Sequence, residues 1–275
     1  MSGGPKKRFG QHFLHDQAVL ERIVRTVNPK PDDLLIEIGP GRGALSRLLL
    51  AKLNRLRVVE IDRDVIGPLR AACGQSEKLE IHMADALAFD FGQFADVGQP
   101  LRLVGNLPYN ISTPLLFHLL GIAGQVRDMH FMLQKEVVDR ICAEPGSDDY
   151  GRLTVSMAAR AESVSLFDVG PEAFHPPPKV DSAVVRIRPR AAPFPLHDID
   201  AYDRLVAAAF NQRRKTLSNG LKGLLTAAQI EAVGIAPGIR AEQLPPADFA
   251  KLADVWSRQQ HSAAASASAS NDPVS

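Results

Sequence analysis

Leu34-Leu-Ile-Glu-Ile-Gly-Pro-Gly-Arg-Gly43 reads as a short apolar strand that breaks into a glycine loop. Glycines in such a loop let the backbone turn sharply and approach a ligand with no Cβ in the way. Ala44 to Leu53 then carries an apolar helical pattern. A strand, a glycine loop and a helix in that order open an α/β sheet, and such sheets bind ligands beyond the C-terminal ends of their strands. Gly39, Gly41 and Ala44 satisfy the spacing G-x-G-x-x-[GA] of nucleotide-binding loops.

Outward from this loop the alternation continues. Before it, Val19, Leu20, Ile23, Val24 and Val27 recur at helical spacing behind Asp16, a helix-capping residue. After it, strands are expected at Arg57–Ile61, Leu79–Met83, Leu101–Gly105 and Asp128–Leu133, with helices from about Val65, over Thr113–Leu120, over Lys135–Ala143 and from about Tyr150 to Ala161. Strands alternating with helices predict a Rossmann-like α/β fold with a doubly wound, mostly parallel sheet. Two late strands, Ser163–Val169 and Ser182–Arg188, flank Pro176-Pro-Pro178 and are expected as an antiparallel pair at the sheet edge. Composition shifts to Pro and Ala between Pro189 and Pro195. The expected organisation is a flexible basic arm over 1–12, an α/β domain over 13–190, a small all-helical domain over 196–258, and a disordered Ser/Ala-rich tail over 259–275.

Composition narrows the function classes. The 275 residues are 45% apolar and 23% charged, as in an ordinary globular protein. Cys73 and Cys142 stand far apart without a CxxC partner, and the eight histidines show no ligand spacing, so no disulfide framework and no metal are expected. No apolar run approaches the roughly 18 residues of a membrane span, and no secretory signal is visible. A cytoplasmic monomer is the expectation. The net charge of +1 says little by itself, but positive charge gathers at Lys6-Lys7-Arg8 and Arg213-Arg214-Lys215.

Three carboxylates qualify the ligand. Glu60, at the end of the second strand, sits where an acidic residue binds a ribose diol. That arrangement serves nicotinamide enzymes and methyltransferases alike. Glu37 lies inside an apolar strand, where a carboxylate is costly unless paired. The cationic amino group of S-adenosyl-L-methionine would pair with it directly or through water, whereas a dinucleotide pyrophosphate would be repelled. Asp85, after the third strand, is placed to accept from an adenine amino group, or else caps a helix.

Asn106-Leu107-Pro108-Tyr109 follows the fourth strand and so shares the sheet edge with the glycine loop. An exocyclic adenine amine is a poor nucleophile because its lone pair is delocalised into the ring. The Asn106 oxygen and a backbone carbonyl would each accept one N–H and turn the lone pair toward a methyl donor. Pro108 fixes the backbone, and Tyr109 offers a stacking face worth roughly 1–3 kcal/mol per base. The alternative is an ordinary strand-end turn of Asn and Pro.

Longer stretches carry a family resemblance. Phe9-Gly-Gln-His-Phe-Leu14, Gly105-Asn-Leu-Pro-Tyr-Asn-Ile-Ser-Thr113, Met132-Leu-Gln-Lys-Glu136, Phe174-His-Pro-Pro-Pro-Lys-Val-Asp-Ser182 and Phe210-Asn-Gln-Arg-Arg-Lys-Thr216 resemble the bacterial dimethyladenosine transferases of 16S ribosomal RNA over about residues 6–258. The resemblance implies N6,N6-dimethylation of two adjacent adenosines in a hairpin loop near the 3′ end of that RNA, within an assembling small (30S) ribosomal subunit. It implies cofactor contacts at His12, Leu14, Gly39, Glu60, Asp85 and Asn106, with position 12 commonly Asn in the family. It also implies that Phe174 stacks on the target base opposite Tyr109; from the residues alone, Phe174 reads as a core aromatic. Arg213, Arg214 and Lys215 are then candidate phosphate contacts, with Lys6-Lys7-Arg8 and Lys179 weaker candidates. The rival readings are a large-subunit ribosomal RNA adenine methyltransferase of the antibiotic-resistance type, an assembly or binding factor with incidental catalysis, and, more distantly, a nicotinamide oxidoreductase.

Overall fold

A computed structural model of the chain describes residues 12–95, 98–211 and 215–269, those after 261 as backbone alone. The elements run β1 (Phe13–Leu14), α1 (Gln17–Val27), β2 (Leu35–Ile38), α2 (Ala44–Leu50), β3 (Leu56–Glu60), α3 (Ile66–Ala72), β4 (Leu79–Met83), β5 (Leu101–Asn106), α4 (Ser112–Leu120), β6 (Val126–Gln134), α5 (Lys135–Cys142), α6 (Arg152–Ala158), β7 (Ala161–Val169), β8 (Phe174–His175) and β9 (Ser182–Pro189). Four helices complete the chain: α7 (Ile199–Phe210), α8 (Leu217–Gly220), α9 (Ala227–Ala232) and α10 (Pro246–Ala269). Two compact units emerge, one of residues up to 139 with 162–190, the other of 140–161 with 191 onward.

The first unit holds a seven-stranded sheet of order β4-β3-β2-β5-β6-β9-β7. Strands β4, β3, β2, β5 and β6 are parallel to their neighbours, and β9 runs antiparallel to β6. Strand order reverses between β2 and β5, so the crevice of the fold opens at their C-terminal ends. Every residue of β2 is buried, as expected of a central parallel strand covered on both faces. Asp16 Oδ1 accepts from Val19 N at 3.0 Å and starts α1, whose Leu20, Ile23, Val24 and Val27 enter the core. Helix α2 ends at Leu50, not at Leu53. The apolar period runs on because Leu53 packs into the same core from a turn, 2% exposed.

One element was not expected. Strand β1 pairs antiparallel with β8, Phe13 opposite His175 and Leu14 opposite Phe174. Two-residue strands carry no periodicity, so nothing in the pattern announces them.

The second unit is helical. Tyr202, Leu205, Val206, Leu217, Ile230, Phe249 and Leu252 form its core. Asp198 caps α7 by accepting from Ala201 N at 2.9 Å and is held in turn by Ser257 Oγ at 2.6 Å. Two corrections to the sequence reading arise here. Residues 140–161, assigned from sequence to the α/β domain, belong to this unit: Tyr150 and Val155 are part of its core, and Tyr150 Oη donates to Leu244 O at 2.7 Å. Helix α10 extends through Ala269, where a disordered tail was expected from 259. Alanine is the best helix former, and no Gly or Pro interrupts the run between Pro246 and Ala269. Among the described residues no helix is long and apolar enough to cross a membrane, and no cluster of His, Cys, Asp and Glu is placed to hold a metal ion.

Candidate active site

The glycine loop and the Asn106 turn meet at the reversal of strand order. Gly39 and Gly41 adopt φ of 67° and 53°, left-handed conformations that side chains disfavour. A Cβ at Gly41 would lie 3.0 Å from the Phe13 ring, so glycine there lets the loop close against β1. At Gly39 the nearest atom, the Asn106 carbonyl oxygen, would stand at an ordinary 3.8 Å, and it is the left-handed φ that calls for glycine. One continuous cleft is lined by His12, Leu14, Glu37, Gly39, Gly41, Glu60, Asp85 and all four residues from Asn106 to Tyr109.

Glu60 is 6% exposed. Its Oε1 accepts from Ile61 N and Asp62 N, both at 2.9 Å, and its Oε2 from Gly41 N at 3.2 Å. Burial still raises its pKa above the ordinary value, against the pull of these backbone donors. Oε2, with one protein donor, is the oxygen left to take a ligand hydroxyl. Asp85 is exposed, and its Oδ1 accepts from Leu87 N at 2.9 Å. It thus closes a turn and caps no helix, the alternative expected for it, while still lining the cleft.

Glu37 is 2% exposed and takes a hydrogen bond from Ser46 Oγ at 2.6 Å. Burial pushes its pKa up to about 7, with Ser46 opposing and Glu60 adding. A group whose folded pKa is raised contributes stability that is full below its unfolded value, near 4.5, and lost as pH rises through about 7. Relative to Glu37→Gln, the ligand-free wild type should therefore lose up to roughly 3 kcal/mol between pH 5 and pH 8. Urea denaturation of both proteins across that range checks this; parallel pH profiles would remove Glu37 as the cause. Ser46 was missed in the sequence. Its signal was a hydroxyl on the inward stripe of α2, one turn before Leu50 and beside Leu45, all three buried.

The Asn106 turn is held from three sides. Asn106 Nδ2 donates to His12 O at 3.0 Å, which leaves Oδ1 as the free acceptor of that amide. Leu107 is buried, and its N–H donates to Met132 O at 3.1 Å. The Pro108 carbonyl accepts from Ile111 N at 3.1 Å and from Ser112 Oγ at 3.0 Å, starting α4. Tyr109 Oη shares a hydrogen bond with Ser182 Oγ at 2.9 Å, and burial raises its pKa. The His12 ring stacks near Tyr109, centroids 5.7 Å apart, and its Nδ1 is 2.8 Å from Pro176 O. His12 therefore reaches the site with its backbone as well as its ring, so the side-chain difference at this position leaves the Asn106 anchor intact.

Other residues singled out in the sequence lie elsewhere. Phe174 is 3% exposed, sits in the core with Leu20, Val169 and Ala173, and does not line the cleft. Its pairing with Leu14 turns it inward, in line with the plain reading of a core aromatic. Lys179 and Lys215 are exposed. Arg213, Arg214 and Lys6-Lys7-Arg8 lie outside the described residues.

A seven-stranded sheet with a glycine loop after β2, an acidic end to β3 and Asn-Leu-Pro-Tyr after β5 defines a Rossmann-like methyltransferase. Residues 4–257 match the family described as ribosomal RNA adenine dimethylase. The ribosomal RNA small subunit methyltransferase A of Chromobacterium violaceum is 57% identical over 91% of this chain and 95% of its own, and that of Marinobacter nauticus 53% over 91% of each. Among solved structures, a dimethyladenosine transferase from Plasmodium falciparum superposes with a TM-score of 0.76 at 25% identity, covering 90% of this chain and 98% of its own. The 23S rRNA methyltransferase ErmE gives 0.68 at 27%, covering 89% and 99%. The chain belongs to the ribosomal RNA adenine dimethylase family.

Proposed function

We propose that the chain transfers methyl groups from S-adenosyl-L-methionine to N6 of two adjacent adenosines in the hairpin loop near the 3′ end of 16S ribosomal RNA, acting on the assembling small (30S) subunit. The observation that carries this reading is the fixed amide of Asn106: with Nδ2 on His12 O, only Oδ1 faces an incoming amine as acceptor. Because the Pro108 carbonyl is occupied twice, the Leu107 carbonyl is the second acceptor. Two acceptors at fixed angles orient the lone pair and stabilise the charge that develops on nitrogen. The cofactor, when bound, supplies a methyl on a sulfonium that is already activated for displacement. The protein's share is then proximity and orientation. Glu37 offers a buried carboxylate to the cationic amino end, and Glu60 Oε2 an acceptor for the ribose.

The target rests on the relatives: those at 53% and 57% identity are named for the small subunit, while the likeness to a 23S rRNA enzyme is at 27%. Undermethylated small subunits incubated with labelled cofactor should gain dimethyladenosine at two neighbouring positions, read by mass mapping of nucleosides. Label only in large-subunit RNA would replace this reading with the resistance-type one. Equal rates on naked mature RNA would remove the assembly-linked part. Replacing Arg213, Arg214 and Lys215 together by Gln should weaken subunit binding and lower its salt slope by about 0.7–0.9 for each phosphate that is no longer neutralised; an unchanged slope would exclude that run from the interface.

A further inference from the structure

A second cleft opens at the opposite end of the sheet from the glycine loop. Strand β5 begins there with Leu101-Arg102, β6 with Val126-Arg127-Asp128, and β9 ends there with Arg186-Ile-Arg188-Pro. The registers Arg102 opposite Asp128 and His130 opposite Arg186 put these side chains on one face. Asn106 lies four residues along β5 from Arg102 on that same face, about 13 Å away at the strand rise. The C-terminal end of α1 and Lys30 close the near side.

The charges in this cleft do not balance. Arg102 is fully engaged: Nε to Asp128 Oδ1 at 2.8 Å, Nη1 to Asp33 Oδ2 at 2.6 Å, and Nη2 to Val27 O at 2.6 Å. Arg127 reaches the same two carboxylates, Asp33 at 3.2 Å and Asp128 at 3.5 Å. Both acids are thereby taken up. Among the described residues Arg186 and Arg188 have no carboxylate partner, and Lys30 Nζ has only Asn28 Oδ1 at 3.2 Å.

Between this cleft and the first, and lining both, stands a histidine whose ring lacks hydrogen-bond partners. His130 is 3% exposed, and neither of its ring nitrogens makes a hydrogen bond among the described residues; Nδ1 stands 3.7 Å from Asp128 Oδ1. Burial holds its pKa down, to about 4, with Asp128 opposing and Arg102, Arg186 and Arg188 adding. At neutral pH the ring is therefore uncharged, with one N–H to give. An unsatisfied buried donor costs about 1–3 kcal/mol, and a native site that keeps one calls for a reason.

One class of ligand answers the surplus charge and the orphaned ring together. We propose that this cleft binds a phosphate-class oxyanion, gripped by Arg186, Arg188 and Lys30 and hydrogen-bonded by His130. A tetrahedral oxyanion has enough acceptor oxygens for guanidinium forks and an imidazole at once. The rigid Arg102–Asp128–Asp33 network beneath it keeps the cleft in shape. The source is either a backbone phosphate of RNA or a free phosphate or diphosphate. The proposal does not depend on the methyl-transfer reading.

The test uses the full-length, 15N-labelled protein at constant ionic strength. Inorganic phosphate, diphosphate and a short RNA duplex are titrated separately, with the His130 ring signals observed by NMR. Saturable movement of those signals is expected, with Arg186→Gln/Arg188→Gln weakening it tenfold or more while cofactor affinity and the urea midpoint stay unchanged. Should that double variant not fold, the exposed Lys30→Gln replaces it, with a weakening of at least threefold expected. Response to inorganic phosphate or diphosphate identifies a small anion; response to the duplex alone identifies backbone phosphate. Static His130 signals with all three probes, or equal affinity in wild type and variant, would overturn the proposal.

Discussion

Asn106→Ala is expected to lower methyl transfer by on the order of 10²–10³-fold or more, while cofactor binding weakens far less and stays measurable. The magnitude is that of removing one preorganised electrostatic contact at a reacting centre. In this site the loss is compounded. Alanine deletes the Oδ1 acceptor, and it also releases His12 O from Asn106 Nδ2, which ties the chain before β1 to the end of β5. Asn106→Asp separates the two effects. It keeps an acceptor for the amine but sets a carboxylate oxygen against the His12 carbonyl, so the His12 segment should loosen and activity fall to an intermediate level. Single-turnover transfer of labelled methyl groups to undermethylated small subunits reads the rate, and calorimetry reads cofactor binding. Wild-type turnover in Asn106→Ala would remove this residue from the mechanism. A parallel collapse of cofactor binding would show that the residue holds the cofactor and does not position the base.

The parts of this site legible in the sequence are those whose chemistry is written in consecutive residues. Glu37 to Gly43 gave a strand and a loop that only glycine can close, and Asn106 to Tyr109 gave a turn on the same sheet edge; the sheet order brings both to one crevice. Less legible were contacts between residues far apart in the chain. The β1–β8 pair joins Leu14 to Phe174, and no local pattern predicts it. It seats His12 and Leu14 at the cleft, where the family resemblance expected them, yet it also turns Phe174 into the core, where the resemblance did not. Hydroxyl partners were likewise hidden: Ser46 for Glu37 and Ser182 for Tyr109 are nine and 73 residues from the groups they serve. In the second unit the helical pattern was readable, but the affiliation of residues 140–161 was not. That affiliation is decided by which core Tyr150 and Val155 join, and an amphipathic helix does not state in its own sequence which surface it covers.

Gly105→Ala is the other change with a large expected effect, and it acts on the scaffold. Gly105 lies in β5 next to Asn106, opposite Phe131 of β6. A Cβ there would fall well inside van der Waals contact of the Ile38 carbonyl oxygen in β2 and 3.2 Å from the Leu107 side chain. The first obstacle is backbone, which cannot swing away as a side-chain tip can. Strands β2 and β5 would have to part at the end where the glycine loop and the Asn106 turn meet. Overpacking a well-filled core costs about 1–3 kcal/mol, and a displacement near 1 Å between reacting groups costs up to about 10²-fold in rate. Gly105→Ala should therefore lose both stability and, in the fraction that remains folded, activity. Gly124→Ala is the matched control: it is exposed, with nothing within 4 Å of its added Cβ, and should leave both unchanged. Urea denaturation and single-turnover transfer on the two variants make the comparison. If Gly105→Ala keeps wild-type stability and rate, the closeness of β2 to β5 is not what sets the cofactor loop against the base-holding turn, and the site must draw its precision from His12 and Ser182 instead.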